Sequence, residues 1–112
     1  MNSRTARLLR SYARHTNQPE AKVKQEWNRT PATKRGEVRA AMESGMWANE
    51  LKEWRMQMGA KSGVPWISEK EAAAKLGVPY DTWRGWECMR DTPRIYVRVA
   101  LKAAMRQMLS VQ

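Results

Sequence analysis

Apolar residues in this chain recur three and four positions apart, and nowhere alternate singly with polar ones over a useful length. That spacing predicts helices and no sheet. Leu8, Leu9, Tyr12 and Ala13 share one helical face, while Arg4, Arg7, Arg10 and Arg14 occupy much of the rest. Asn17, Pro19 and Glu20 have the form of a helix start, with an Asx cap, a proline in the first turn and Glu at the capping-box spacing. The helix that follows extends to about Arg29 and buries Val23 and Trp27. Thr30-Pro31 repeats the start signal, and Val38, Ala41 and Met42 mark a third apolar face. Gly45 marks a break there, although a single glycine weakens a helix rather than ending it. Beyond it Met46, Trp47, Leu51, Trp54 and Met58 keep helical spacing up to Gly59.

Residues 59–66 (GAKSGVPW) are the clearest loop. Ser68 with Glu71 caps the next helix, Gly77 stops it, and Pro79 opens a short helix ending near Glu87. Thr92-Pro93 starts the last one, which carries Ile95, Val99, Leu101, Met105 and Met108. The expectation is an all-α chain of six or seven helices. Residues 1–45 form a basic helical region of two or three helices, and residues 46–112 a bundle of about four.

Composition narrows the classes. A 42% apolar fraction suffices for a core, built here on six Trp and eight Met with no Phe. The net charge of +10 favours a polyanionic partner, nucleic acid first. That surplus is spread along the chain, with ten basic and four acidic residues in 1–45 and eleven and seven in 46–112. One cysteine, Cys88, and one histidine, His15, give no basis for an internal disulfide or a metal site, and no cofactor is implied. No apolar run reaches the length of a membrane span or a signal-peptide core, so no membrane association is expected and a cytoplasmic location is. Catalysis needs placed acids, bases, nucleophiles or metals; no such constellation is present, and the chain is not expected to be an enzyme.

Residues 69–88 (EKEAAAKLGVPYDTWRGWEC) carry the functional argument. Two short helices joined by a tight turn need a small residue where they cross, supplied by Ala73. They also need a residue tolerant of positive φ in the turn, supplied by Gly77. Ala72, Leu76, Val78, Trp83 and Trp86 form one inward apolar set, leaving Pro79, Tyr80, Asp81, Arg84 and Gly85 outward. This arrangement resembles a helix-turn-helix, specifically that of the lambda-repressor-like (XRE) family, over residues 49–109. The segments that carry the resemblance are Asn49-Glu50-Leu51-Lys52 with Trp54-Arg55 and Met58-Gly59, then Ile67-Ser68-Glu69 with Glu71-Ala72-Ala73. Leu76-Gly77-Val78-Pro79, then Trp83 with Trp86-Glu87, then Pro93 with Val97, Ala100 and Leu101 complete it.

The resemblance implies sequence-specific double-stranded DNA binding, with helix 79–87 in the major groove. Base contacts then fall to Tyr80, Asp81, Thr82, Arg84 and Gly85, with Arg84 suited to bidentate recognition of guanine. Backbone contacts fall to Lys61, Ser62, Ser68, Lys70, Arg90, Arg94 and Arg98. Residues 1–45 lie outside the resemblance; their charge alone offers Arg4, Arg7, Arg10 and Arg14 as auxiliary phosphate contacts, with a basic solubilising surface or a separate protein-binding module as the alternatives. Three departures stand out. Glu69 replaces the family's usual Gln, the loop 60–66 is longer than usual, and the stretch Cys88-Met89-Arg90-Asp91 lacks the usual Gly.

Trp83 and Trp86 are assigned to the core. Trp66 is either a hydrophobic staple or an exposed contact. Met105, Met108 and Leu109 are either core or a seam between two copies, since regulators of this family commonly act as homodimers. The function expected is a small transcriptional regulator, a repressor of a bacteriophage or mobile element, in the nucleoid or host cytoplasm. The alternative is an inhibitor that binds a host protein of the nucleic-acid machinery. A third reading is sequence-independent nucleic-acid binding through charge.

Overall fold

Six α-helices and no strand make up residues 3–110, the part of the chain that the computed structural model describes. The outermost residues of the two expected regions, 1–2 and 111–112, lie outside it. Helix α1 spans Ser3–Thr16 and α2 spans Glu20–Arg29; after a 3₁₀ turn at Ala32–Lys34, α3 spans Arg35–Lys61. Then follow α4 (Glu69–Leu76), α5 (Tyr80–Glu87) and α6 (Ile95–Ser110). The chain divides into two compact units, Met1–Met46 and Trp47–Gln112.

In the first unit Leu9 and Ala13 of α1 pack on Val23 and Trp27 of α2, with Tyr12, Val38 and Met42 half-buried around them. The Arg35 and Arg39 guanidinium groups lie 5.5 and 5.6 Å from the Trp27 ring centroid, within cation–π range. Arg39 also donates to the hydroxyl of buried Thr5 at 2.9 Å.

The second unit is built around tryptophan. Trp47 and Trp54 of α3 meet Trp83 and Trp86 of α5 in a chain of ring contacts. Centroids are 5.9 Å apart for Trp47–Trp86, 6.3 Å for Trp83–Trp86 and 6.0 Å for Trp54–Trp83. Leu51, Ile67, Ala72, Ala73 and Met105 complete the buried set. The Trp54 indole N–H donates to the Met105 carbonyl at 3.0 Å, tying α3 to α6. Met108 and Leu109 pack against this core, so the seam offered by Met105, Met108 and Leu109 is largely spent inside the unit. Exposed apolar side chains on α6 lie at its other end: Ile95, Tyr96 and Val99 are each more than 60% exposed.

Two expected helix boundaries are corrected. Gly45 does not break α3, which continues through it from Arg35 to Lys61. An interior glycine costs a helix only about 1 kcal/mol against alanine, and core residues anchor the helix on both sides of it, Met42 before and Trp47 and Leu51 after. Asn17 does not cap the start of α2; it ends α1. Its φ is +55°, its N–H donates to Arg14, and the N–H of Gln18 donates to Ala13 at 2.9 Å. The residue at the N-cap position of α2 is Pro19, which supplies no side-chain cap.

The same closing motif recurs. Helices α3, α4 and α5 also end with a left-handed residue followed by an N–H reaching back five positions. These pairs are Gly63 with Val64→Gly59, Gly77 with Val78→Ala73, and Met89 with Arg90→Gly85, all at 2.9 Å. This is the Schellman cap, which satisfies carbonyls that a helix end leaves open. After α5 the turn therefore keeps that shape although a methionine stands where glycine is usual.

Candidate nucleic-acid interface

The pair α4–α5 is fixed by local chemistry at each end. The Ser68 hydroxyl accepts the Glu71 N–H at 3.0 Å to start α4, and Gly77, at φ +69°, ends it. Ala72 and Ala73 are buried where the two helices cross, and Trp83 and Trp86 turn the opposite side of α5 into the core. No side chain caps the start of α5, which follows Pro79 directly.

The outward positions separate into available and committed groups. Tyr80, Asp81, Thr82 and Arg84 are all exposed. Tyr80 and Arg84 stand one turn apart, and among the described residues neither the Tyr80 hydroxyl nor the Arg84 guanidinium is engaged by another side chain. Gly85, expected among the base contacts, is instead buried. A β-carbon there would lie 2.6 Å from the Arg90 guanidinium and 3.1 Å from the Asp91 carboxylate. Arg90 itself donates to the Asp81 carbonyl at 3.2 Å and pairs with Asp91 at 3.2 Å. It thereby covers one flank of α5 and pins the turn that follows.

The expected backbone contacts divide in the same way. Lys70 and Arg94 are exposed and unpaired among the described residues, as is Lys75, which sequence reasoning did not single out. Ser62 is exposed in the turn after α3, and Ser68 is exposed with its oxygen serving the α4 cap. Lys61 has another task. Its ammonium donates to the Met108 and Leu109 carbonyls at 2.9 and 3.1 Å, closing the C-terminal end of α6, where a cation suits the helix dipole. Arg98 is half-buried and already has an interaction of its own. Of the auxiliary arginines on α1, Arg4, Arg7 and Arg14 are exposed and, among the described residues, unpaired, while Arg10 lies 3.6 Å from Glu20.

A partly buried charge network that sequence reasoning missed holds α5 in place. Arg55 of α3 pairs with Glu87 at 2.7 Å and donates to the Ile67 carbonyl at 3.1 Å, while the Ile67 N–H returns a bond to the Arg55 carbonyl at 3.1 Å. Glu87 is 4% exposed and also accepts the Trp83 indole N–H. The i, i+4 spacing of Trp83 and Glu87 was the available signal. Glu69 lies 4.0 Å from the same guanidinium, so part of its charge is balanced within the unit. Trp66 is 60% exposed; its backbone, not its ring, is what packs, since a β-carbon on Gly59 would lie 2.4 Å from the Trp66 Cα.

Among the described residues no group of three His, Cys, Asp or Glu side chains is placed to hold a metal ion. No helix there is long and apolar enough to cross a membrane. No family model, curated protein or solved structure matches the chain.

Proposed function

We propose that this chain is a sequence-specific DNA-binding regulator of the lambda-repressor-like helix-turn-helix type, a repressor of a bacteriophage or mobile element, with α5 entering the major groove. The observation that carries the reading is the division of α5 into two faces. Trp83, Trp86 and Glu87 are locked into the core, while Tyr80, Asp81, Thr82 and Arg84 point to solvent. A groove-reading helix needs such rigid backing, because side chains reach base edges productively only from a fixed platform. An unpaired arginine on its exposed face suits guanine O6 and N7. Lys70, Lys75 and Arg94 would add phosphate contacts, and Ser68 with Ser62 neutral ones.

The test is fluorescence anisotropy against DNA from upstream of the chain's own gene and a shuffled duplex of equal length, across a salt series. The expected result is a preference for the upstream DNA, with specific sites binding about 10³–10⁷ tighter than non-specific ones. Arg84→Ala should abolish that preference while leaving the fold intact. Equal binding to both duplexes, at every salt concentration, would overturn the reading for that promoter.

One observation favours a protein partner as well. Ile95, Tyr96 and Val99 make a contiguous apolar surface on α6, and such patches mark contact sites. A homodimer reading two half-sites would use it; inhibition of a host protein of the nucleic-acid machinery is the second reading that it supports.

A further inference from the structure

Helix α1 has no acidic residue along Ser3–Thr16, and its two faces are chemically opposite. Thr5, Leu9 and Ala13 are buried, and Leu9 and Ala13 pack on Val23 and Trp27. At 100° per residue, Arg4, Arg7 and Arg14 fall within an arc of roughly 80° centred opposite that buried face. All three are exposed, and among the described residues none is engaged by an acidic side chain.

We infer that the exposed face of α1 is a second nucleic-acid contact, in which Arg4, Arg7 and Arg14 bind the phosphates of duplex DNA without regard to sequence. The apolar side of α1 is already consumed by its own core, so the helix has no second apolar face to insert into a lipid surface. What remains is a row of guanidinium groups spread over roughly 15 Å of helix, long enough to meet separate phosphates. Guanidinium binds phosphate through paired N–H donors, which makes a row of three arginines a better phosphate surface than a solvating one.

Arg10 is the internal control. Its guanidinium faces the Glu20 carboxylate at 3.6 Å, and Lys24 holds that carboxylate at 3.1 Å. The Lys24 hydrogen bond first, and the charges of Lys24 and Arg10 after it, hold the Glu20 carboxyl below its ordinary range. Arg10 is thereby held partly out of the row.

This inference shares with the regulator reading only the kind of partner, and the two fail independently. The measurement is binding of the full chain to a shuffled duplex between about 50 and 200 mM salt. Replacing Arg4, Arg7 and Arg14 together by Gln removes three phosphate contacts, so the slope of log affinity against log salt should become shallower by about 2.7. Across that salt range the variant should lose about 40-fold less affinity than the parent. Arg10→Gln should change the slope less than Arg7→Gln does. Glu20→Gln, which frees Arg10, should steepen it by up to about 0.9, a gain that no loss of folding can produce. The ratio of upstream to shuffled binding should stay unchanged in all of these, whereas Arg84→Ala should change that ratio and leave most of the slope. Unchanged slopes in the triple variant, or loss of binding to phosphatidylserine vesicles with duplex binding intact, would overturn the inference.

Discussion

Met89 holds φ +64° at the close of α5, a conformation that costs a residue with a β-carbon about 1–2 kcal/mol. Its side chain is 58% exposed, so little packing offsets that strain. Met89→Gly should therefore raise stability, by up to about 1 kcal/mol once the extra freedom of glycine in the unfolded chain is subtracted. Urea denaturation followed by circular dichroism checks this, and a loss of stability would show that the Met89 side chain contributes more than its exposure suggests. Asn17 occupies the same conformation at the end of α1 at less cost, since a short amide side chain tolerates the left-handed region. The contrast explains why the ends of α1 and α5 differ in sequence signal although they share a geometry.

The helices differ in how much of them could be read from the sequence. Helix α4 was legible at both ends because its signals are local: a Ser three residues before Glu71, and a Gly at the single position that needs positive φ. The inward set on α4 and α5 was legible because 3.6-residue periodicity alone sorts Ala72, Trp83 and Trp86 from Tyr80 and Arg84. Gly45 misled because its effect depends on what packs on either side, which spacing does not report. Gly85 and Lys61 misled for the same reason: an arginine five residues on covers the first, and the second closes a helix end 47 residues away. Arg55 was not visible as a structural residue at all. Three elements converge on it, and Glu87 would be left as a buried, unpaired carboxylate without it. Arg55→Met should cost about 3–5 kcal/mol for that reason. Adding Glu87→Gln, which removes the charge and keeps an acceptor for the Trp83 indole, should recover most of the loss. Thermal or urea unfolding of the single and double variants separates this from a simple packing defect, for which no recovery would be seen.

Charge and apolar surface together decide how the chain would act on DNA. A net charge of +10 provides attraction to any duplex, and attraction of that kind carries no sequence information. A single eight-residue helix reads only a few base pairs, so useful specificity calls for two copies on two half-sites. The surface proposed for pairing is Ile95, Tyr96 and Val99, three exposed apolar side chains on one helix, whereas Met105 is 6% exposed and already spent in the core. Val99→Asp places a charge at the centre of that surface without touching the tryptophan cluster, so the fold should survive. In sedimentation equilibrium the parent is expected to associate and the variant to remain a monomer. On a duplex with two half-sites the variant should lose about 10²-fold or more in affinity, the avidity that pairing supplies, while binding to one isolated half-site stays unchanged. Equal association of parent and variant would remove this face as the pairing surface. Equal loss on one and two half-sites would instead mean that Val99 acts through α5, and the division between a reading helix and a pairing helix would fall with it.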